Sequence, residues 1–170
     1  HPSSPRHNPV AGEVRLGPPR IFRQDHSVSF STLDLDKNLL TGLKELGFVR
    51  PTAIQTEAIP PALTGRDVLA CAATGSGKTA AFALALLAKL NVRPKLGNPA
   101  IQALVLCPTR ELAEQVTQEV RRLARAEDHI KVLTLCGGST MRPQLASRLH
   151  GAHIIVGTPG RLMDHLERGS

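Results

Sequence analysis

Residues 67–90 read DVLACAATGSGKTAAFALALLAKL, and the order of chemistry in that stretch decides the fold. A short apolar run (67–72) ends in a glycine-bearing turn, and the turn opens onto residues of helical character. Gly75 and Gly77 let the backbone turn with its N–H groups aimed inward, a nest for phosphate oxygens. The helix that follows adds the positive end of its dipole. Lys78 can reach phosphate oxygens as a point charge, and the Thr79 hydroxyl can ligate Mg²⁺. Ala73, Thr74 and Ser76 complete this phosphate-binding set. Ala72 stands where the usual pattern has its first Gly, so that end of the loop has less conformational freedom. Strand, loop and helix in that order imply a nucleoside triphosphate site. Taken alone, they do not separate ATP from GTP.

The same alternation recurs downstream. IQALVLC (101–107) leads through Pro108 into a helix on which Leu112, Val116, Val120 and Leu123 share one face. IKVLTLC (130–136) ends at Gly137 and Gly138, before another helix near 144–149. HIIVG (153–157) ends at Thr158 and Pro159, followed by a last helix through Glu167. Strands rich in Val, Ile and Leu that alternate with helices predict an α/β fold, a parallel sheet flanked by helices with both faces covered. Loops that leave the C-terminal ends of such strands open on one edge, where ligands bind. Every chemical motif of this chain falls in those loops.

Upstream, Leu39, Leu40, Leu43 and Leu46 repeat at helical spacing, with Asp36 as N-cap and Gly47 as C-cap. A second helix is expected after Pro51, burying Ile54, Ala58 and Ile59. Residues 1–26 hold five prolines and no apolar periodicity, which predicts a disordered N-terminal extension.

Composition bounds the function classes. With 41% hydrophobic and 21% charged residues, the 170-residue chain suits one soluble domain rather than two. The uncharged run 79–88 is far short of the ~20 residues of a membrane span. No apolar signal segment opens the sequence. Lys and Arg exceed Asp and Glu by 21 to 14, and a net charge of +7 favours polyanionic partners. Cys71, Cys107 and Cys136 close short apolar runs, with no paired spacing and no His nearby at ligand spacing. They read as small buried hydrophobes in a reducing, cytoplasmic compartment rather than as a disulfide or metal site.

The segment Gly47-Phe48-Val49-Arg50-Pro51-Thr52-Ala53-Ile54-Gln55 adds a base reader. A Gln amide offers a donor and an acceptor that match the N6 and N7 edge of adenine, and Phe48 offers a face for stacking. The bland alternative for Gln55 is a solvated helix residue.

Five elements then stand in order: GF-x-x-PT-x-IQ, A-x-TGSGKT, PTRELA (108–113), GG (137–138) and TPGR (158–161). In order and spacing they resemble the first half of the DEAD-box RNA helicase core. Phe30, 17 residues before Gly47, also matches that family's pattern. The resemblance runs from Phe30 to the C-terminus, and 101–168 is most similar to the bacterial subfamily that acts on large-subunit ribosomal RNA. It implies a partial RecA-like P-loop NTPase domain: a Q-motif segment at 27–56 and a helicase ATP-binding domain at 57–170. It implies ATP and Mg²⁺ as ligands and RNA as partner, and it leaves oligomeric state open. Gln55 would recognise adenine, with Phe48 stacked on it and Thr52 in the same reader. Residues 73–79 would hold the triphosphate, with Lys78 and Thr79 also serving catalysis. Pro108, Thr109, Arg110, Gly137, Gly138, Thr158, Pro159, Gly160 and Arg161 would grip the RNA backbone.

The residues support the backbone roles on their own chemistry. Thr158 is a good N-cap and Pro159 a good first helical residue, leaving N–H groups free for phosphate. Arg110 and Arg161 can fork onto phosphate oxygens. Alternatively, Arg110 pairs with Glu114 one turn on, and Arg161 is a solvated face residue. With four Phe and no Trp or Tyr, a base-stacking RNA platform is not expected.

The family's next segment supplies carboxylates for Mg²⁺ and the attacking water, and no Asp-Glu-Ala-Asp run occurs in these 170 residues. The resemblance thus implies a piece that binds ATP without unwinding RNA. Two rival classes remain at this stage: another P-loop NTPase, and a non-enzymatic RNA-binding fragment.

Overall fold

The structure is a computed structural model, and it describes residues 28–91, 99–127, 129–137 and 151–168. Helix α1 (Lys37–Glu45) starts where expected, because Asp36 Oδ1 accepts the Leu39 N–H at 2.9 Å. Gly47, at φ +79°, turns the chain out of it. Leu39 and Leu43 are buried in the core. Gly42 lets α1 approach the 3₁₀ turn Ala124–Ala126 closely, since a β-carbon there would stand 2.8 Å from Ala126 Cβ.

Helix α2 (Ala53–Leu63) packs along α3 (Lys78–Lys89), and Ile59 meets Ala80, Ala83, Leu84 and Leu87 in the same core. Ile54 and Ala58, expected to be buried, are half-buried. Pro60 and Pro61 stand inside α2 and supply no N–H to the carbonyls one turn back.

Strands β1 (Ala103–Leu106), β2 (Val132–Leu135) and β3 (Ile154–Gly157) form one parallel sheet in the order β1-β3-β2. The register is level at the C-terminal ends: Leu106 and Leu135 both sit opposite Gly157. Helix α4 (Arg110–Leu123) lies on the sheet through Ala113, Val116, Val120 and Leu123. Thr134 Oγ donates to Thr117 Oγ across that interface at 2.9 Å. Helix α5 (Pro159–Glu167) follows β3. His153, just before β3, is buried, and its Nδ1 accepts the Lys131 N–H at 3.0 Å. No helix among the described residues is long and apolar enough to cross a membrane.

Three expectations need correction. Residues 67–72 are not a strand: Val68 and Leu69 are 42% and 69% exposed, and Cys71 is exposed as well. An apolar run becomes a strand only when a neighbour pairs with its backbone, and no described strand lies beside this one. The sheet is not covered on both faces throughout. β3 is buried along its length, but Leu104 and Leu106 of β1 are 56% and 59% exposed. Leu112 is exposed and lines a groove, unlike buried Val120 and Leu123 on the same helix. The expected extension at 1–26, the helix near 144–149 and Gly138 lie outside the described residues.

Candidate functional site

The phosphate loop closes on itself through the Ser76 N–H, which donates to the Ala73 carbonyl at 3.2 Å. Gly75 and Gly77 take φ of +79° and +89°, the left-handed region that other residues reach only at a cost. Gly77 caps the N-terminus of α3, so the first N–H groups of that helix lack partners from its own backbone. Lys78 Nζ folds back and donates to the Ala72 carbonyl. Ser76 Oγ is buried without a hydrogen-bond partner. A lysine ammonium, an orphaned hydroxyl and a helix N-terminus around one turn form a donor set suited to phosphate oxygens. Among the described residues, no cluster of His, Cys, Asp and Glu could hold a metal by itself. Thr79 opens α3 beside Lys78 and lines the same groove.

Gln55 is 2% exposed, which sets aside the solvated-residue alternative. Its Nε2 donates to the Gly77 carbonyl at 3.2 Å, and its Oε1 accepts the Thr52 N–H at 2.9 Å. That second bond is one half of a capping box for α2. The reciprocal half is loose, and Thr52 Oγ1 has no partner with good hydrogen-bond geometry. Phe48 is half-buried, with its ring edge-on to Phe30 at 6.1 Å and 77°. Phe48, Thr52, Gln55, Thr74, Gly75, Gly77, Lys78 and Thr79 line one groove of about 1030 Å³, which continues to Val105, Leu106 and Cys107 at the end of β1.

The rim of the sheet carries the other set. The Cys107 N–H donates to the Gly157 carbonyl at 2.9 Å, and the Thr158 N–H donates to the Leu135 carbonyl at 3.1 Å. These bonds hold the three strand ends together, so 108–110, Gly137 and 158–161 leave from one edge. Thr109 caps α4 by accepting the Leu112 N–H at 3.2 Å. Pro159 begins α5 after Thr158, whose side chain makes no capping bond. Arg110 Nε lies 3.0 Å from Glu114 Oε1, the alternative raised by the spacing, and this bond pushes the guanidinium pKa up. Cys136 sits between the loops. Burial raises its thiol pKa first and Glu114 adds to that, while Arg110 and Arg161 oppose it. Burial also raises the Cys107 thiol, so both thiols stay protonated and unreactive near neutral pH.

Two residues of this neighbourhood escaped the reading of the sequence. Arg50 lines the groove two residues after Phe48, and its position in the same segment was the available signal. Arg122, on the last turn of α4, places its guanidinium carbon 5.4 Å from the centroid of the Phe48 ring. Nothing local announces that contact, since 74 residues separate the pair.

Comparisons with known proteins show the family. Residues 52–170 match the family model described as DEAD/DEAH box helicase. The ATP-dependent RNA helicase DbpA of Escherichia coli (strain K12) is 52% identical over 143 residues, covering 84% of this chain and 30% of that protein. The ATP-dependent RNA helicase DeaD of the same strain is 47% identical over 146 residues, covering 86% of this chain and 23% of that protein. A crystal structure of a DEAD box protein from the hyperthermophile Methanococcus jannaschii matches with a TM-score of 0.74 at 42% identity, over 83% of this chain and 37% of that one. The chain thus spans about a quarter to a third of the length of these curated relatives.

Proposed function

Because the chain belongs to the DEAD/DEAH box helicase family, we propose that it is the ATP-gripping and RNA-gripping part of an ATP-dependent RNA helicase. The observation that carries this reading is the hydrogen bond from buried Gln55 to the Gly77 carbonyl. A residue type able to read adenine is tied to the loop able to hold phosphates, in one groove.

Gln55 and Thr52 take the edge of adenine, and Phe48 takes its face. Residues 73–79 take the triphosphate: the N–H groups at the start of α3 and Ser76 Oγ bind oxygens, and Lys78 exchanges the Ala72 carbonyl for phosphate. Each end of the Gln55 amide has one protein partner, which fixes its orientation and leaves a second lone pair and a second N–H for the base. Thr79 is the residue that would ligate Mg²⁺, which supplies charge neutralisation between phosphate oxygens when bound. Pro108, Thr109, Arg110, Gly137, Gly138, Thr158, Pro159, Gly160 and Arg161 hold an RNA sugar–phosphate backbone without reading bases. The 27–56 segment reads the base and 57–170 carries the phosphate and RNA loops, and α2 joins the two.

Competition of ATP and GTP for the chain tests the reading. ATP should win by about 5- to 150-fold, the discrimination of one good bidentate pair, and Gln55→Ala should erase the preference. Lys78→Ala should weaken both nucleotides alike. The 170-residue chain should turn over ATP negligibly even with saturating RNA, because no Asp-Glu-Ala-Asp run is present. Equal affinity for ATP and GTP in the parent chain sinks the adenine assignment. RNA binding indifferent to ATP and to Lys78→Ala points to a non-enzymatic RNA-binding fragment.

A further inference from the structure

Phe48 begins as a residue with a fixed backbone and a half-buried ring. Gly47 at φ +79° turns the chain out of α1, and the Phe48 N–H donates to the Leu43 carbonyl at 2.9 Å. Those two features place the Cα. The ring still has two torsions; it packs, half-buried, against the core and stands T-shaped to the Phe30 ring, at 6.1 Å and 77°. Freezing such a side chain when a base stacks on it costs part of the binding free energy.

Arg122 supplies a further restraint. It stands on the last turn of α4, where a cation suits the helix dipole, and Nη1 lies 3.3 Å from Glu119 Oε2 one turn back. That ion pair is partly exposed and would satisfy the guanidinium in any orientation toward solvent. Instead the guanidinium carbon lies over the Phe48 ring, 5.4 Å from its centroid, within cation–π range. Phe48 and Glu119 line the nucleotide groove, and Arg122 is not among its lining residues.

We propose that Arg122 is a positioning residue for base recognition: steered by Glu119, it holds the Phe48 ring in the orientation on which adenine stacks. The inference rests on the assignment of Phe48 to adenine. It makes α4, whose first turn carries Arg110 on the rim, also the support of the base platform.

The test separates base from phosphate. ATP and inorganic tripolyphosphate are titrated into the parent chain, Arg122→Gln, Arg122→Lys, Phe48→Leu and the Phe48→Leu/Arg122→Gln double variant, with melting curves for each. Leu at 48 keeps the packing against Phe30 and removes the aromatic face. Arg122→Gln should weaken ATP about two- to fivefold, the worth of a half-exposed cation–π contact, and leave tripolyphosphate unchanged. Arg122→Lys should recover most of the loss. In the Phe48→Leu background Arg122→Gln should cost nothing more. Equal weakening of ATP and tripolyphosphate, or a further loss in the double variant, overturns the proposal while leaving the base assignment intact. Full ATP affinity in Arg122→Gln overturns it too. Full ATP affinity in Phe48→Leu removes the base assignment and this proposal together.

Discussion

A β-carbon on Gly77 would stand 2.5 Å from Gln55 Nε2 and 3.0 Å from Thr52 Oγ1. Glycine at 77 therefore does two things: it holds φ +89°, and it leaves the room in which Gln55 reaches the loop. Gly75 does only the first, since nothing lies within 4 Å of where its β-carbon would be. Gly75→Ala should cost about 1–2 kcal/mol of left-handed strain. Gly77→Ala should cost that and also displace Gln55, with ATP affinity falling more than tenfold. Urea denaturation and ATP titration of the two variants decide it; equal effects would refute the steric account.

Arg110 is held by Glu114 on an exposed helix face, so its removal should leave the melting temperature unchanged. If the arginine instead serves RNA, Arg110→Ala should weaken single-stranded RNA of any sequence. The slope of log affinity against log salt should become shallower by about one. An unchanged slope would return Arg110 to being a helix-surface residue.

Acid should destabilise the fold through His153. Burial lowers its pKa first, and the Lys131 charge adds to that. The folded state thus disfavours the charged imidazole, while the unfolded chain protonates near the ordinary value of about 6.5. Stability from this group is fully present above about pH 6.5 and is lost as pH falls below it. Protonation would also abolish the acceptor that Nδ1 offers to the Lys131 N–H. Melting temperatures at pH 7.5 and pH 5.5 should drop more in the parent chain than in His153→Gln. Parallel drops would place the acid sensitivity elsewhere.

The outer edge of β1 has no described strand beside it, and Leu104 and Leu106 face solvent on that strand. Unpaired apolar edges template association between chains. The 170-residue chain should self-associate as its concentration rises, and Leu104→Lys should reduce this. Light scattering over a concentration series measures both; identical curves would mean the edge is already protected.

Much of this was legible because the deciding signals are local. Asp36 three residues before Leu39 caps α1, Thr109 three residues before Leu112 caps α4, and β1, β2 and β3 stand out as short runs rich in Val, Ile and Leu closed by Cys or Gly. The phosphate loop likewise needs only its own glycines to turn. What could not be read depends on distant partners. The 67–72 run has the composition of a strand, but composition does not provide a neighbour to pair with. Cys71 follows it into solvent, although Cys107 and Cys136, in similar runs, are buried. The burial of Gln55 depends on a carbonyl 22 residues away, and the orientation of Phe48 on an arginine from another helix.

The level strand ends have one last consequence. Neighbouring parallel strands lie about 4.8 Å apart, so the loops after β1, β3 and β2 emerge across roughly 10 Å. If the loops grip an RNA backbone as proposed, that width admits only a few nucleotides. Such a footprint would be a short ruler. It would be too brief to measure a sequence.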